Sequence, residues 1–183
     1  HRAVYRILYP YFHQKFIYDS YSCRLGKGTH RALDRFRFFG RKVSINNTKT
    51  CHVLKCDIKK FFASIDQAVL CQVLRKHIPD PKILWLLENI IASFYSTAAG
   101  KGLPLGNLTS QLLVNIYLNE FDHHVKEERR IKYYIRYADD FVIFSSDINF
   151  LTDLISAIED YLFKEFKLVL HPKKVSIKTL FSG

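Results

Sequence analysis

The sequence predicts an α+β domain, and two observations lead to this prediction. Predicted elements follow one another in the order strand, helices, β-hairpin, helix and strand. This order implies a mixed or antiparallel sheet with helices packed on one face. The chain has 183 residues, of which 48% are hydrophobic and 15% aromatic, so it can bury a real core. These numbers suit one domain, or one domain plus part of another, and exclude a disordered tail.

The first half of the chain supplies a helical start, one strand and two helices. Residues 1–20 are aromatic and apolar, and we expect a helix at their beginning. Val53–Asp57 has the pattern of a short apolar strand. Ser64 and Gln67 match a capping box, and the apolar residues that follow recur at helical spacing. A second helix is predicted over 82–95, where apolar side chains share one face.

The second half begins with a turn-rich segment, GKGLPLGN (100–107). Asn107 or Thr109 can cap the helix that follows it. Two β-rich runs over 132–146 predict a hairpin with carboxylates at its tip. A helix and two short strands are predicted to finish the chain, over about 150–166, 167–170 and 174–179.

The charge balance indicates a polyanionic partner. Twenty-eight Lys and Arg against seventeen Asp and Glu give a net charge of +11, which on a folded domain most often indicates nucleic acid. Residues 24–42 carry seven of the basic residues, with phenylalanines between them, a pattern that suits phosphates and stacked bases. The alternative is a solvated amphipathic helix, since Arg31 and Arg35 would share a face.

Several other classes of protein are not expected. No run approaches the roughly 18 apolar residues of a membrane helix, and no secretory segment opens the sequence, so we expect an intracellular location. The four cysteines are scattered, which predicts reduced thiols rather than disulfides or zinc. His123 and His124 would point about 100° apart on a helix, so they are not expected to share a metal ion. The absence of methionine suggests a piece of a longer protein.

Three acidic residues carry the strongest chemical signal. Asp139 and Asp140 are neighbours in an otherwise apolar hairpin, and two carboxylates ~4 Å apart repel by roughly 4 kcal/mol at an effective dielectric near 20. A divalent metal such as Mg²⁺ can compensate this repulsion, whereas the alternative is a turn that faces water. Asp57 ends the first strand, where its side chain can lie beside the hairpin tip. Acidic positions on adjacent strands can hold the ion pair used for in-line phosphoryl transfer.

Four segments together resemble the reverse transcriptases. YADD (137–140) resembles their YxDD motif, and DIKKFF (57–62) resembles their first catalytic motif. GLPLGNLTSQ (102–111) is similar to the motif that contacts the dNTP and the template. DSYSCRLGKGTHRA (19–32) is similar to the template-side motif of bacterial enzymes. The resemblance covers roughly residues 15–180, with the motifs in the family's order.

The resemblance implies the palm of a right-hand polymerase with part of its fingers. Residues 1–50 would be partial, template-side fingers, and residues 51–183 the palm with the catalytic carboxylates. Residues 82–106 would form an insertion between fingers and palm. The first fingers motif would precede this chain and the thumb would follow it.

The resemblance also implies an activity and its residues. The activity is RNA-directed DNA synthesis, in which two Mg²⁺ ions, or Mn²⁺, assist transfer of a dNTP to a primer 3′-hydroxyl. The implied metal ligands are Asp57, Ile58 through its carbonyl, Asp139 and Asp140. The implied dNTP-binding residues are Phe62 as a steric gate, Leu105, Gly106, Ser110 and Gln111. The residues expected to contact nucleic acid are Arg24, Lys27, Arg31, Arg35 and Tyr137.

The segment LGNLTSQ indicates a subfamily within the reverse transcriptases. Most reverse transcriptases carry Gln-Gly at the positions of Leu105-Gly106 and Ser-Pro at Ser110-Gln111, whereas this sequence is similar to enzymes of diversity-generating retroelements. That similarity implies frequent errors at template adenine. It also implies an RNA template, a DNA or RNA primer and a small accessory protein as partners, no membrane, and the cytoplasm of a prokaryote or a phage host as the location.

Other interpretations stay open at this point. Group II intron-like and defence-associated bacterial enzymes are near alternatives within the family. A non-catalytic RNA-binding module with a degenerate polymerase fold would explain the charge and the aromatic residues equally well, but it has no use for three repelling carboxylates. An adenylate-cyclase-like palm enzyme shares the carboxylates but not the GLPLG…SQ segment.

Overall fold

The computed structural model describes residues 2–94 and 98–180 of the chain. Within these residues there are seven α-helices, a π-helical turn and four β-strands. The helices are α1 (Arg2–His13), α2 (Thr29–Val43), α3 (Phe61–Ser64), α4 (Gln67–His77), α5 (Pro81–Ala92), α6 (Leu108–His123), continued by the π-helical turn His124–Glu128, and α7 (Ile148–Phe166). The strands are β1 (His52–Asp57), β2 (Tyr134–Tyr137), β3 (Asp140–Ser145) and β4 (Ser176–Thr179).

The four strands form one antiparallel sheet in the order β2-β3-β1-β4. The sequence predicts a mixed or an antiparallel sheet. The pairing of these four strands is antiparallel. A parallel bridge between Ser20 and Arg136 adds one point of contact at the edge of β2. The predicted hairpin over 132–146 is confirmed as β2 and β3, and β1 lies between β3 and β4.

The start of α4 differs from the predicted capping box. Ser64 is the last residue of α3, and its hydroxyl donates to the carbonyl of Lys59 at 3.1 Å. Ile65 follows in an extended conformation (ψ 122°) that separates the two helices. Asp66 caps α4 instead, because its side chain accepts a hydrogen bond from the amide of Val69 at 3.1 Å. The capping box is therefore wrong, although the helix itself is confirmed.

Polar side chains also mark the starts of α5 and α6. The side chain of Asn107 accepts a hydrogen bond from the amide of Thr109 at 3.0 Å, so Asn107 is the cap of α6. Asp80 caps α5 by accepting from the amides of the first turn, at 2.8 and 3.2 Å. The helix ends at Ala92, and residue 95, the predicted end, lies outside the described residues.

Of the two strands predicted after α7, the second is confirmed as β4, which pairs with β1. The first, over 167–170, is wrong. Lys167 takes the left-handed conformation (φ 56°) that ends α7. The segment then meets the residue after β1 through an isolated bridge between Leu170 and Ile58. Its pairing is too short to form a strand.

Helices cover both faces of the sheet, rather than the one face that the sequence predicts, and they cover the two faces unequally. One face packs against α6 and α7 and forms the main core. The other face is partly covered by α2, whose Phe36 and Phe39 lie 4.8 and 6.0 Å from the ring of Phe144. Phe39 also packs against Tyr133 at 5.2 Å. Two of the three phenylalanines of the basic segment therefore belong to a second, smaller core, and Phe38 is exposed.

The described part of the chain contains no helix with both the length and the apolar character needed to cross a bilayer. Its four cysteines are free thiols. Burial raises the pKa of Cys56 to about 12, so this thiol stays protonated at neutral pH.

Candidate active site

Two acidic residues are paired at the ends of the two central strands of the sheet. Asp57 is the last residue of β1 and Asp140 the first of β3, and the strand register pairs them directly. Because side chains alternate along a strand, both lie on the face opposite to their buried neighbours Cys56 and Phe141. The adjacency predicted between the first strand and the hairpin tip is confirmed.

Each of these carboxylates has a lysine partner. Nζ of Lys174 lies 2.9 Å from Oδ2 of Asp57, and Nζ of Lys55 lies 3.6 Å from Oδ1 of Asp140. Asp57 is only 7% exposed, whereas both lysine side chains are more than half exposed. The hydrogen bond to Asp57 raises the pKa of Lys174. Neither lysine is among the predicted site residues, although Lys55 lies two residues before Asp57, the spacing that places both on one face.

Asp139 lies in the two-residue turn between β2 and β3, after Ala138 at φ 55°. Its carbonyl accepts a hydrogen bond from the amide of Ile58 at 3.3 Å, which ties the turn to the end of β1. Burial raises the pKa of the Asp139 carboxyl, its own backbone N–H lowers it, and the carboxylates of Asp140 and Asp57 raise it again. The three acids therefore influence one another electrostatically.

The chemistry of these donors fits a hard divalent cation. Carboxylate oxygens are the ligands that Mg²⁺ prefers in proteins. Over 2–94 and 98–180, no three His, Cys, Asp or Glu side chains converge into a preassembled metal cluster. Burial is the main cause of the raised pKa of Asp139, and repulsion from Asp140 and Asp57 adds to it; a bound cation relieves repulsion of this kind.

A cleft of about 320 Å³ opens beside Asp140, between α2 and the sheet. The hydroxyl of Tyr137 lies 3.1 Å from Oγ1 of Thr29, so a side-chain hydrogen bond joins α2 to the acidic hairpin. Tyr137 is 38% exposed and lines the cleft together with Asp140. The remaining lining is mostly apolar: Ala32, Leu33, Phe36, Ile135, Phe141 and Val142, with Lys55.

The segment before α6 is tied to the residues that follow β1. The amide of Leu103 donates to the carbonyl of Phe62 at 2.9 Å. Phe62 is half-buried, with its ring 5.7 Å from that of the buried Phe61. Leu105 is 77% exposed, so it does not belong to the apolar core. Gly106 adopts φ 80°, a conformation that glycine takes without strain.

The structure does not place all predicted dNTP-binding residues in one cavity. Ser110 is buried and lines a separate cavity of about 260 Å³ between α5 and α6, whereas Asp140 lines the cleft beside α2. Gln111 is half-buried in the first turn of α6. Phe62 and the segment around Leu105 are linked to each other, but Ser110 faces elsewhere.

Three of the four basic residues predicted to contact nucleic acid are held by the protein itself. Arg24 donates to two backbone carbonyls, at 2.6 and 2.8 Å, and is half-buried. Lys27 lies 3.4 Å above a tyrosine ring, and Arg35 pairs with the buried Asp19 at 2.7 Å. Arg31 is exposed on the first turn of α2. Contact with phosphate stays a prediction for all four.

Residues 1–179 match the family model for reverse transcriptase (RNA-dependent DNA polymerase). The chain belongs to the reverse transcriptase family. Protein YkfC of Escherichia coli (strain K12) is 28% identical over 131 residues, which cover 69% of this chain and 34% of that protein. Nuclear intron maturase 4, mitochondrial, of Arabidopsis thaliana is 29% identical over 127 residues, which cover 66% of this chain and 15% of that protein. The chain thus spans 34% or less of the length of these relatives.

Solved structures of telomerase share the fold of this reverse transcriptase chain. Apo telomerase from Candida tropicalis, truncated from the C-terminal domain, matches with a TM-score of 0.71 at 14% identity, over 100% of this chain and 40% of that one. Candida tropicalis telomerase in complex with the TWJ fragment of telomeric RNA matches with a TM-score of 0.74 at 14% identity, over 98% and 34%. This likeness confirms the predicted right-hand polymerase fold class. The domain boundaries at 50/51 and 82–106 stay a prediction.

In this reverse transcriptase chain, sequence reasoning missed a buried arginine beside the acidic turn. Arg136 is 1% exposed and pairs at 2.7 Å with Asp122 of α6, which is fully buried. A signal for it was present, because alternation along β2 places Arg136 on the same face as Tyr134 and therefore in the core. A charge on that face needs a buried partner, and Asp122 lies four residues after the core residue Leu118, on the same face of α6.

Proposed function

We propose that the chain is the catalytic palm of an RNA-directed DNA polymerase. The observation that carries this proposal is the group of three carboxylates, from Asp57, Asp139 and Asp140, at the meeting of β1 with the β2–β3 turn in a chain of this family. In the reaction, the primer 3′-oxygen attacks the α-phosphorus of a dNTP while the bond to the leaving pyrophosphate breaks. The RNA template selects the nucleotide by base pairing.

The metal ions implied by the family fit this site chemically. Asp57, Asp139 and Asp140, with the carbonyl of Ile58, are the groups that would hold two Mg²⁺ or Mn²⁺ ions. When bound, the ions would activate the primer hydroxyl and neutralise the pyrophosphate. The chain supplies the arrangement of the donors. The strand register holds Asp57 and Asp140 side by side on one face of the sheet, and the turn that is bonded to the amide of Ile58 presents Asp139.

Primer extension by the full-length protein on a defined RNA template tests the proposal. We expect a DNA product whose sequence follows the template, and we expect its formation to stop when EDTA removes the divalent ion. A protein that binds the RNA but extends no primer with either Mg²⁺ or Mn²⁺ would instead support the non-catalytic RNA-binding module.

The subfamily is the finer part of the proposal. The segment around Leu105 and Gln111 supports an enzyme of a diversity-generating retroelement, with an accessory protein and a location in the cytoplasm of a prokaryote or phage host. The relative named as an intron maturase supports the group II intron-like alternative. We favour the enzyme of a diversity-generating retroelement. Frequent errors at template adenine would distinguish it from a group II intron-like enzyme.

Leu105→Gln is expected to lower errors at template adenine by about three- to tenfold while preserving activity. Leucine offers no hydrogen bond beside the nucleotide, whereas glutamine restores one worth about 0.5–1.5 kcal/mol. The 77% exposure of Leu105 leaves its side chain accessible to a nucleotide. Sequencing the cDNA measures the effect. Leu86→Gln is the control, because Leu86 is also exposed but lies on α5. Equal adenine errors in the parent and the Leu105 variant would remove the support for the retroelement subfamily.

Phe62→Ala is expected to increase the use of ribonucleotides by about ten- to a hundredfold. A half-buried ring below the incoming sugar leaves no room for a 2′-hydroxyl, and steric discrimination of this kind has that magnitude. The ratio of rNTP to dNTP incorporation measures it. Phe61→Ala is the matched control, because Phe61 is 2% exposed and its loss should cost stability rather than sugar selectivity. An unchanged ratio in the Phe62 variant would assign this ring to the core.

Arg31→Ala is expected to weaken RNA binding uniformly across sequences and to flatten the salt slope by about 0.7–0.9. The exposed position of Arg31 on α2 permits a phosphate contact, whereas Arg24 is engaged with backbone carbonyls. Arg24→Ala should therefore lower the melting temperature, which Arg31→Ala should not. RNA binding measured at several salt concentrations decides this, and a parental slope for Arg31→Ala would make α2 a solvated face.

A further inference from the structure

Arg136 uses its whole hydrogen-bonding capacity inside the protein. A guanidinium has five N–H donors. Nε and Nη2 donate to the two carboxylate oxygens of Asp122, at 2.8 and 2.7 Å. Nη2 also donates to Oγ of Ser20 at 3.2 Å, and Nη1 donates to Oδ1 of Asn115 at 3.2 Å. The fifth donor, also on Nη1, reaches the carbonyl of Ala138 at 3.0 Å.

The hydrogen bond from Nη1 of Arg136 to the carbonyl of Ala138 affects the turn that carries Asp139. Ala138 has φ 55°, a left-handed conformation that costs an alanine roughly five- to thirtyfold in population. Its carbonyl belongs to the peptide group that carries the amide of Asp139, so the hydrogen bond from Arg136 fixes the plane of that peptide. The next carbonyl, of Asp139 itself, is fixed by the amide of Ile58. Both peptides that flank the Asp139 side chain are therefore held from outside the turn.

We propose that Arg136 is a positioning residue for the reaction: it holds Ala138 in the left-handed conformation and thereby aims the carboxylate of Asp139. The catalytic consequence rests on the proposed function, whereas the effect on the turn does not. Arg136 itself is buried below the catalytic face and touches no reacting atom.

The guanidinium of Arg136 connects three separate segments of the chain. Ser20 belongs to the template-side segment, Asn115 and Asp122 belong to α6, and Ala138 belongs to the catalytic turn. Asn115 extends the connection, because its Nδ2 donates to the carbonyl of Ser22 at 3.0 Å. Only a planar fork with five donors can serve all these acceptors together. A lysine, with three donors at one point, can keep the charge but not the full set.

The test compares four forms of the full-length protein: the parent, Arg136→Lys, Ala138→Gly, and the double variant. Arg136→Lys should reduce kcat for primer extension by about tenfold or more, with the KM for dNTP and the RNA affinity within twofold of the parent. Arg75→Lys is the matched control, because Arg75 pairs with Glu88 on the exposed surface of α4 and α5. We expect it to leave kcat unchanged.

Glycine at position 138 separates a positioning role from a merely structural one. Because glycine takes positive φ without the cost that alanine has, Ala138→Gly should restore kcat of the Arg136→Lys variant at least threefold. It should restore only a small part of the melting temperature, since glycine removes the backbone cost at position 138 but does not rebuild the bonds from Arg136 to Asp122, Ser20 and Asn115. A crystal structure of Arg136→Lys should show Ala138 shifted to negative φ, and this readout needs no activity.

Two results would overturn the proposal: an unchanged kcat in Arg136→Lys, or a positive φ at Ala138 in that variant. If the parent extends no primer, the proposed function fails, while the crystal structure still decides the effect on the turn. If Arg136→Lys does not fold, Asn115→Ala replaces it, because this change keeps the Arg136–Asp122 pair and removes the acceptor that shares Nη1 with Ala138. A smaller loss of kcat, with the same recovery by glycine, is then expected, and a loss without recovery would contradict the proposal.

Discussion

Primer extension is expected to fall below detection in Asp139→Asn, while the fold and the affinity for RNA stay near those of the parent. The amide keeps the shape of the side chain but offers a divalent cation no charge. It also removes one of three mutually repelling carboxylates, so the melting temperature should be equal to that of the parent or higher. Extension assays, RNA binding and thermal unfolding of the full-length protein measure the three quantities.

Asp57→Asn should also abolish extension, since Asp57 is paired with Asp140 in the strand register, but this variant additionally loses the 2.9 Å ion pair with Lys174. Asp153→Asn is a suitable control, because Asp153 is exposed on α7. Polymerisation by Asp139→Asn within tenfold of the parent would exclude the role assigned to its carboxylate. A large fall in melting temperature would mean that the acid stabilises the fold, contrary to its position among like charges.

The largest expected effect on stability belongs to Asp122→Ala. The change leaves the buried Arg136 without its carboxylate partner and removes the acceptor of the Tyr134 hydroxyl, which donates at 2.6 Å. Breaking a buried ion pair by removing one partner typically lowers the free energy of unfolding by about 3–5 kcal/mol. Urea denaturation of the parent and the variant measures the difference.

Asp34→Ala is the comparison, because Asp34 pairs with Arg37 at 3.1 Å on the surface, where both side chains are about 70% exposed. An exposed pair contributes roughly 0–1 kcal/mol, so this variant should unfold almost as the parent does. A similar, small loss in both variants would show that the buried pair contributes no more than a surface pair.

Much of the fold could be predicted because the periodicity of apolar residues determines which faces are buried. The alternation in β1 and in the hairpin, and the helical spacing in α4 to α7, depend only on local sequence. The predicted capping box at the start of α4 and the predicted strand over 167–170 were wrong for a different reason. Ser64 donates to a carbonyl instead of capping a helix, and Lys167 adopts the left-handed conformation that ends α7, where the apolar residues alone suggest a strand. Both depend on backbone conformation that composition does not specify.

The candidate site, like the fold, could be predicted only in part. Asp57 and Asp140 could be placed together because strand order and register bring the ends of β1 and β3 to one point. The partners of the basic residues could not be predicted, since Arg35 and Asp19 meet only after α2 folds onto the sheet. Arg136 shows the same limit, because its acceptors come from segments up to 116 residues away in the chain.

Lys55 and Lys174 are counterions for the carboxylates at the ends of β1 and β3. Three carboxylates meet two ammonium groups, which leaves a local charge of minus one when all five are ionised. The carboxylates sit on paired strands and a tied turn, whereas the ammonium groups end long, exposed side chains that can swing away without disturbing the backbone. In the proposed polymerase, fixed and mobile charges would therefore have separate tasks: the fixed carboxylates would set where a cation binds, and the lysine side chains would keep this surface near neutrality until a cation took their place.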